Sequence, residues 1–254
     1  MTDIIDLNSD LGESFGDWKM GDDNAMLDIV SSANVACGFH AGDPMVMTKT
    51  VRAAKEKGVK VGAHPGFDDI RGFGRRRMSG LPVEDLKACL VYQVGALSAI
   101  AKSEGFEVTH VKMHGALSNM ACEDLNLAID CLDAIQSAVP GIPIVAVAAT
   151  ALQQAAEERN YPYVQELFAD RGYMDDGNLV PRSQPGAMIH DADEAADRML
   201  RMLDDEALIS VNGKRIPVKP QTVCVHGDSP GAVNMAEVLR NRLEQNGVSI
   251  RSFV

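Results

Sequence analysis

With 254 residues and a formal net charge of −12, the chain is a poor fit for nucleic acid or an anionic membrane surface, although the local field of a cleft leaves a small anionic substrate open. The length is close to the roughly 250 residues of one βα barrel, and buries about three quarters of the unfolded surface without staples. No linker, low-complexity tract, basic-then-apolar leader or long apolar run interrupts it, so it reads as one domain over residues 1–254, cytoplasmic and clear of any membrane.

Ile4 to Asp10 reads as the first strand, with Ile5 and Leu7 on one face and Asp6, Asn8 and Asp10 on the other, because strand side chains alternate with period two. Asn34 to Pro44 then runs as a short apolar strand into His40, a glycine turn and a helix start. Asp43 is the cap there and Pro44 takes the first helical position, where its missing N–H costs nothing. The same grammar recurs in Val59 to Ala63 before His64, in Val108 to Met113 before His114, and in Thr222 to Val225 before His226. Helices are predicted over Pro44–Lys57, Pro82–Glu104, Glu123–Ala138, Thr150–Arg159, from the Asp191 cap to about Leu203, and over Pro230–Asn246. Ile142 to Ala148 is a strand with no polar face, whereas the next strand sets Glu166 and Asp170 opposite Leu167 and Ala169. Arg171 to Ile189 reads as a long ordered loop, more in keeping with a functional lid than with filler. Ala207–Val211 and Lys214–Val218 flank Asn212-Gly213, a hairpin signal, and Val248–Phe253 is a short closing strand.

These strands start near residues 4, 34, 59, 108, 142, 163 and 222, one fewer than the usual eight. A strand buried on both faces reads as nearly continuous hydrophobic sequence. The repeated polar face instead predicts an α/β barrel with a hydrophilic interior. The five cysteines, Cys37, Cys89, Cys122, Cys131 and Cys224, are odd in number, lack Cys-x-x-Cys spacing, and read as reduced core residues.

Four of the six histidines sit where a predicted strand hands over to a loop. In a parallel α/β protein those points share the face where active sites are built. One such histidine is usually a satisfied polar residue; four at equivalent positions predict one pocket, with imidazole serving as base, acid or metal ligand. Asp10 adds a carboxylate to the same mouth, and Asp10, His64 and His114 form a plausible divalent-metal set. Lys112, on a strand interior, either pairs with Asp10 or Glu13 or holds a substrate carboxylate. The Gly72-Phe73-Gly74-Arg75-Arg76-Arg77 stretch lacks the Gly-x-x-x-x-Gly-Lys-[Ser/Thr] pattern of a phosphate loop. It reads first as a solvated charge run, with Arg75 as the arginine to aim at a carboxylate or phosphate. Gly227-Asp228-Ser229-Pro230 is either an anion-binding helix start or a plain cap. With no Gly-x-Ser-x-Gly elbow and no cysteine in a basic setting, a serine or thiol nucleophile is disfavoured.

The stretches Asp6 to Glu13, Asn34 to Pro44, Gly62 to Gly66, Gly72 to Arg76, Val111 to Leu117, Ala169 to Arg171, Leu179 to Arg182 and Val225 to Asp228 together resemble the LamB/YcsF family, and the likeness spans nearly the whole chain. Ser9, Met113 and Ser118 depart from its usual pattern. The resemblance implies a distorted seven-stranded, TIM-like βα barrel of the glycoside hydrolase and deacetylase type. It also implies the A component of an ATP-dependent 5-oxoprolinase, which opens the 5-oxoproline lactam to glutamate with subunits B and C and with ATP and its companion Mg. The absent phosphate loop speaks against this chain binding ATP alone. Under that resemblance Asp10, Glu13, His40, His64 and His114 are the expected catalytic residues. Asn8, Arg75, Lys112, Arg182, His226, Gly227 and Asp228 are the expected substrate contacts. Two rival expectations stand beside it: a metal-dependent amidohydrolase or deacetylase working without ATP, and a non-catalytic, partner-binding role. Assembly into a homo-oligomer stays open.

Overall fold

The computed structural model describes residues 3–227 and 231–254. Six parallel strands pair in chain order: β1 (Ile4–Leu11), β2 (Ser32–Ala36), β3 (Lys60–His64), β4 (Val108–Val111), β5 (Ile144–Val147) and β6 (Tyr163–Phe168). The chain then leaves the barrel for an antiparallel hairpin, β7 (Ala207–Ile209) and β8 (Arg215–Pro217), and returns as β9 (Thr222–Cys224), which pairs with both β6 and β1. That double pairing closes a seven-stranded barrel. The segment that would hold an eighth strand is spent on the 171–189 loop, a helix and the Asn212-Gly213 hairpin. A short β10 (Ser249–Ile250) adds beside the start of β1.

The helices follow their caps. In α2 (Pro44–Lys57) the Asp43 carboxylate accepts from the Met45 and Val46 amides, and Gly58 ends the helix at φ 71°, a conformation in which glycine bears no Cβ penalty. The long α3 (Val83–Ser103) buries the stripe Leu86, Leu90, Val94, Leu97 and Ala101, worth about 1.5–3 kcal/mol for each full-sized side chain. Two helices escape the periodicity argument, α1 (Asp23–Leu27) and α4 (Gly115–Glu123), both too short to show a clear apolar repeat. The helix expected from Glu123 begins instead as α5 (Leu125–Ala138), because the Asp124 carboxylate caps it by accepting from the Asn126 and Leu127 amides. The outer ring is completed by α6 (Ala151–Arg159), α7 (Ala192–Asp204) and α8 (Ala232–Gln245); the Pro230 start expected for α8 lies outside the described residues.

The parity split of the strands is the fold's main feature. Ile5, Leu7, Val35, Ala63, Val111, Leu167 and Val223 are buried in the apolar core between barrel and helices. The alternate positions fill the barrel with polar groups that satisfy one another, as burial requires. At the base the Thr222, Ser31 and Ser32 hydroxyls donate to the Asp6 carboxylate. One rung up, Asn8 Nδ2 donates to Glu166 Oε1 at 3.1 Å, Asn34 Nδ2 donates to Asn8 Oδ1 at 2.8 Å, and His110 Nε2 lies 2.9 Å from Asn34 Oδ1. Gly62 makes that rung possible, since a Cβ there would stand 2.1 Å from His110 Nε2. Below the base the chain crosses under the barrel: Ser252 Oγ meets Ser32 Oγ at 3.2 Å, and the Phe253 ring packs edge-on to His110.

Candidate active site

The upper rungs carry the chemistry. Lys112, 3% exposed, extends its ammonium to Asp10 Oδ1 at 3.0 Å, to Glu166 Oε1 at 2.9 Å and to Cys224 Sγ at 3.0 Å. Burial opposes its charge, but Asp10, Cys224 and Glu166 hold the ammonium well above its ordinary range. Burial alone would lift the Asp10 carboxyl; His64 and Lys112 outweigh it and keep the group ionised well below the usual carboxylate range. Glu166 is pushed up by burial, which Lys112 offsets only in part.

Above Asp10 lies a group of three imidazoles and a carboxylate. His64 Nδ1 is 2.7 Å from the Lys112 carbonyl, and His114 Nε2 is 2.8 Å from the Phe73 carbonyl. A carbonyl only accepts, so each of these nitrogens carries the proton. The other two nitrogens, His64 Nε2 and His114 Nδ1, face each other at 2.9 Å, a hydrogen bond in which one of them carries the proton. Glu13 Oε1 stands 3.4 Å from His114 Nδ1 and 3.4 Å from His40 Nε2, and Asp10 Oδ2 stands 3.4 Å from His64 Nε2. Burial drives the imidazolium forms of both His40 and His114 well below their ordinary range. His40 stacks on His114 with ring centroids 3.7 Å apart, and among the described residues neither of its ring nitrogens makes a hydrogen bond. The turn that supplies Phe73 needs Gly74: its φ is +62°, and a Cβ there would come within 2.7 Å of His114 and 2.8 Å of His40.

On the opposite side the Asp170 carboxylate accepts from His226 Nδ1 at 2.7 Å. Burial would lift Asp170, but His226 more than offsets it and holds the carboxyl low. His226 also stacks on Phe168. A cavity of about 250 Å³ joins the two sides, lined by Asp10, Glu13, His64, His114 and His226 within, and by Arg75, Arg171 and Arg182 toward the mouth. That volume is at the small end for ligand pockets and suits a metabolite better than a polymer. The 171–189 loop forms one wall through Leu179, Val180 and Pro181.

The LamB/YcsF family model matches residues 5–254. The chain belongs to the LamB/YcsF family. It is 52% identical over 249 residues to the second 5-oxoprolinase A component of Bradyrhizobium diazoefficiens, covering 98% of this chain and 97% of that protein. With the 5-oxoprolinase A component of Rhodopseudomonas palustris the identity is 51%, with 98% of each chain covered. The crystal structure of a lactam utilization protein from Thermus thermophilus superposes with a TM-score of 0.92 at 44% identity, covering 98% of this chain and 100% of that one. A putative cellobiose-phosphate cleavage protein from Enterococcus faecalis V583, at 10% identity and a TM-score of 0.58 over 99% and 98% of the two chains, shares the fold alone.

Within this LamB/YcsF chain Asp10, Glu13, His40, His64, His114, Lys112 and His226 converge, although they come from separate strands and loops. Other expectations change. Lys112 pairs with Asp10 and Glu166, not with Glu13, because Glu166 is the inward residue of β6 at its height. Asn8 sits beneath the cavity, donating to Glu166 and Thr222. Gly227 is absent from the cavity lining and packs close to the Asp10 carbonyl; Asp228 lies outside the described residues. The potential metal ligands group as Glu13, His40, His64 and His114, while Asp10 groups with Cys224 and His226. Gly12, at φ +67°, turns the chain there, and Glu13 follows on the side of His40 and His114, whereas Asp10 Oδ1 is engaged by Lys112 and Asn34. A cysteine does lie in a basic setting, since Cys224 touches Lys112 across the barrel, but burial pushes its thiol well above the ordinary value. Cys224, Asp170 and Arg171 escaped the sequence as site residues, although the polar parity of β6 marked Glu166 and Asp170, and Ala169 to Arg171 is among the stretches that carry the family resemblance.

Among the described residues no helix is long and apolar enough to cross a membrane.

Proposed function

We propose that this chain is the lactam-opening component of an ATP-dependent 5-oxoprolinase, working with subunits B and C in the cytoplasm, and that 5-oxo-L-proline is hydrolysed to glutamate in the cavity above Asp10. The observation that carries this is the convergence of ionised Asp10 with the imidazoles of His64 and His114 in one small cavity, in a chain matched end to end by proteins named as the A component of 5-oxoprolinase.

An unstrained five-membered lactam resists water, so a base and charge stabilisation are both needed. Neutral His114 presents an acceptor to a water molecule at the cavity floor, and Asp10, 3.4 Å from the His64 ring, stabilises the charge that a protonated imidazole acquires. On the far side the Asp170 carboxylate fixes the His226 ring through Nδ1, which leaves Nε2 to take a proton from water and relay it to the departing ring nitrogen. Lys112 is held by two carboxylates and cannot also clamp the substrate carboxylate. That task falls to the arginines of the mouth, whose planar forks match a carboxylate.

The same inner face suits a divalent transition metal. Imidazole and carboxylate donors favour such ions over Mg or Ca, and each of two histidines is pinned at its outer nitrogen by a backbone carbonyl, as metal-binding imidazoles usually are. His64, His114 and Glu13 would hold it, with His40 joining only if it left its stack on His114. Bound there, the ion would polarise a carbonyl or lower the pKa of water.

The test is reconstitution. Chain, subunits B and C, ATP and 5-oxoproline should yield glutamate, and an assembled His114→Ala complex should yield none. Glutamate release by the chain alone without ATP would instead select the metal-dependent amidohydrolase reading, and full turnover by His114→Ala the non-catalytic one. Elemental analysis of purified chain, with Glu13→Gln as the comparison, reads metal occupancy independently of turnover.

A further inference from the structure

Helix α3 has two faces, and the barrel uses one of them. Leu86, Leu90, Val94, Leu97 and Ala101 are buried against it. Asp85, Ala88, Tyr92, Gly95, Ala99 and Lys102 point the other way and are all exposed. Their spacing alternates three and four residues, the repeat by which one helix lies along another. From Ala88 to Ala101 the helix carries no charged residue, whereas the exposed sides of α2 and α8 carry Arg52 and Glu56, and Glu237 and Glu244. Tyr92 is 63% exposed and Val91 39%, and the Tyr92 ring is held in place by stacking on Phe39, with centroids 5.4 Å apart. Gly95 is the sharper signal. Glycine weakens a helix interior relative to alanine, yet a Cβ at Gly95 would meet nothing within 4 Å, so nothing inside this chain requires glycine there. The close approach of another molecule would. The two ends of the face carry opposite charge, Asp85 in the first turn and Lys102 in the last, about 25 Å apart along the axis. The charges beside them are taken, Lys87 by Asp130 of α5 and Glu104 by Arg52, while among the described residues Asp85 and Lys102 enter no ion pair.

We propose that this outer face of α3 is the contact between two copies of the chain, packed antiparallel about a two-fold axis. With the axis between Gln93 and Val94, the six positions match one another. Asp85 faces the partner's Lys102, Ala88 faces the partner's Ala99, and the Tyr92 ring lies over the partner's Gly95. Symmetry repeats each pair, so the ring that one copy presents fills the gap that the other leaves. A parallel arrangement would set Asp85 on Asp85 and Lys102 on Lys102. A slip of one heptad in either direction would leave both charges unmatched. A second copy therefore meets this pattern by symmetry, in one register, whereas an unrelated partner would have to carry the same order of charge, ring and gap on a helix of its own. A stable contact buries about 800 Å² on each partner. The groove between α3 and α5, lined by Val91, Tyr92, Ala134 and Ser137, continues the surface beyond the helix itself. The contact is independent of the function proposed above.

Analytical ultracentrifugation of the full chain tests this. At about 100 μM, where a complex of micromolar Kd is mostly assembled, the wild type should sediment as a dimer. Gly95→Gln fits the open space in a single copy and favours the helix. It should keep or raise the thermal midpoint while weakening association about tenfold or more. Asp85→Lys and Lys102→Asp should each weaken association, since each opposes like charges at both ends of the contact. Mixing these two variants one to one should restore the dimer, because every end then meets its opposite. The charge variants lie on the surface and need no help from Gly95→Gln to decide the question. A monomeric wild type at that concentration, a dimer indifferent to Gly95→Gln, or a mixture that associates no more tightly than its components would each overturn the proposal. A monomeric chain that joins subunits B and C only while Gly95 is intact would overturn it as well, and would give the face to a partner subunit.

Discussion

Replacing Lys112 by alanine tests whether the polar barrel interior is an energetically coupled unit. The ammonium is buried and lies about 3 Å from carboxylate oxygens of both Asp10 and Glu166. Removing it leaves two buried carboxylates without their cation, and breaking a buried pair in this way costs about 3–5 kcal/mol. At about 2–4 °C of Tm per kcal/mol for a domain of this size, thermal unfolding should fall by roughly 6–20 °C. The deficit should depend on pH with a definite sign. Burial already raises the Glu166 carboxyl, and the variant raises it further. A carboxyl raised in the folded state costs stability above its folded pKa and stops costing as pH falls through it. The variant should therefore recover toward the wild type as pH falls through the raised Glu166 value toward the ordinary glutamate value of about 4.3. The double variant Lys112→Ala/Glu166→Gln, which removes one stranded charge, should regain part of the loss at pH 7. Scanning calorimetry and urea unfolding on the three proteins read both effects. A single-variant loss under about 1 kcal/mol, or a double variant no more stable than the single, would refute the coupling.

Asp43→Ala should destabilise the fold by about 1 kcal/mol through loss of the α2 cap. Because the Gly16 amide, followed by the Val46 and Met45 amides, holds the Asp43 carboxyl low, that contribution is present above the unfolded pKa and vanishes as pH falls through the folded one, so urea unfolding curves of variant and wild type should converge in acid. Gly62→Ala places a Cβ on His110 Nε2 and should cost about 3 kcal/mol or more, with part returned by adding His110→Ala; Tm values of the single and double variants check this. Asp170→Asn should leave the fold intact but misorient His226, lowering kcat in the assembled enzyme about 100-fold with little change in KM; steady-state kinetics decide it.

The sequence was informative wherever a side chain's direction follows from its neighbours in the chain. Strand parity placed Asp6, Asn8, Asn34, His110 and Lys112 inside the barrel, and Asp43-Pro44 marked the start of α2 to the residue. Parity says which way a side chain points, but not at what height it meets residues of another strand. That is why Lys112 could be given Glu13 as a partner when the register of β6 supplies Glu166, and why Cys224 went unnoticed beside an ammonium. Arg171 was illegible for a different reason. Its surroundings are backbone carbonyls of a loop with no repeating geometry, and no pattern of residue types encodes where such a loop folds back.

The tail that passes beneath the barrel, with Phe253 against His110 and Ser252 on Ser32, stoppers the end remote from the arginines. A vessel corked at its base is filled and emptied through the same neck. If the cavity works as proposed, product leaves past the same guanidiniums by which the reactant enters.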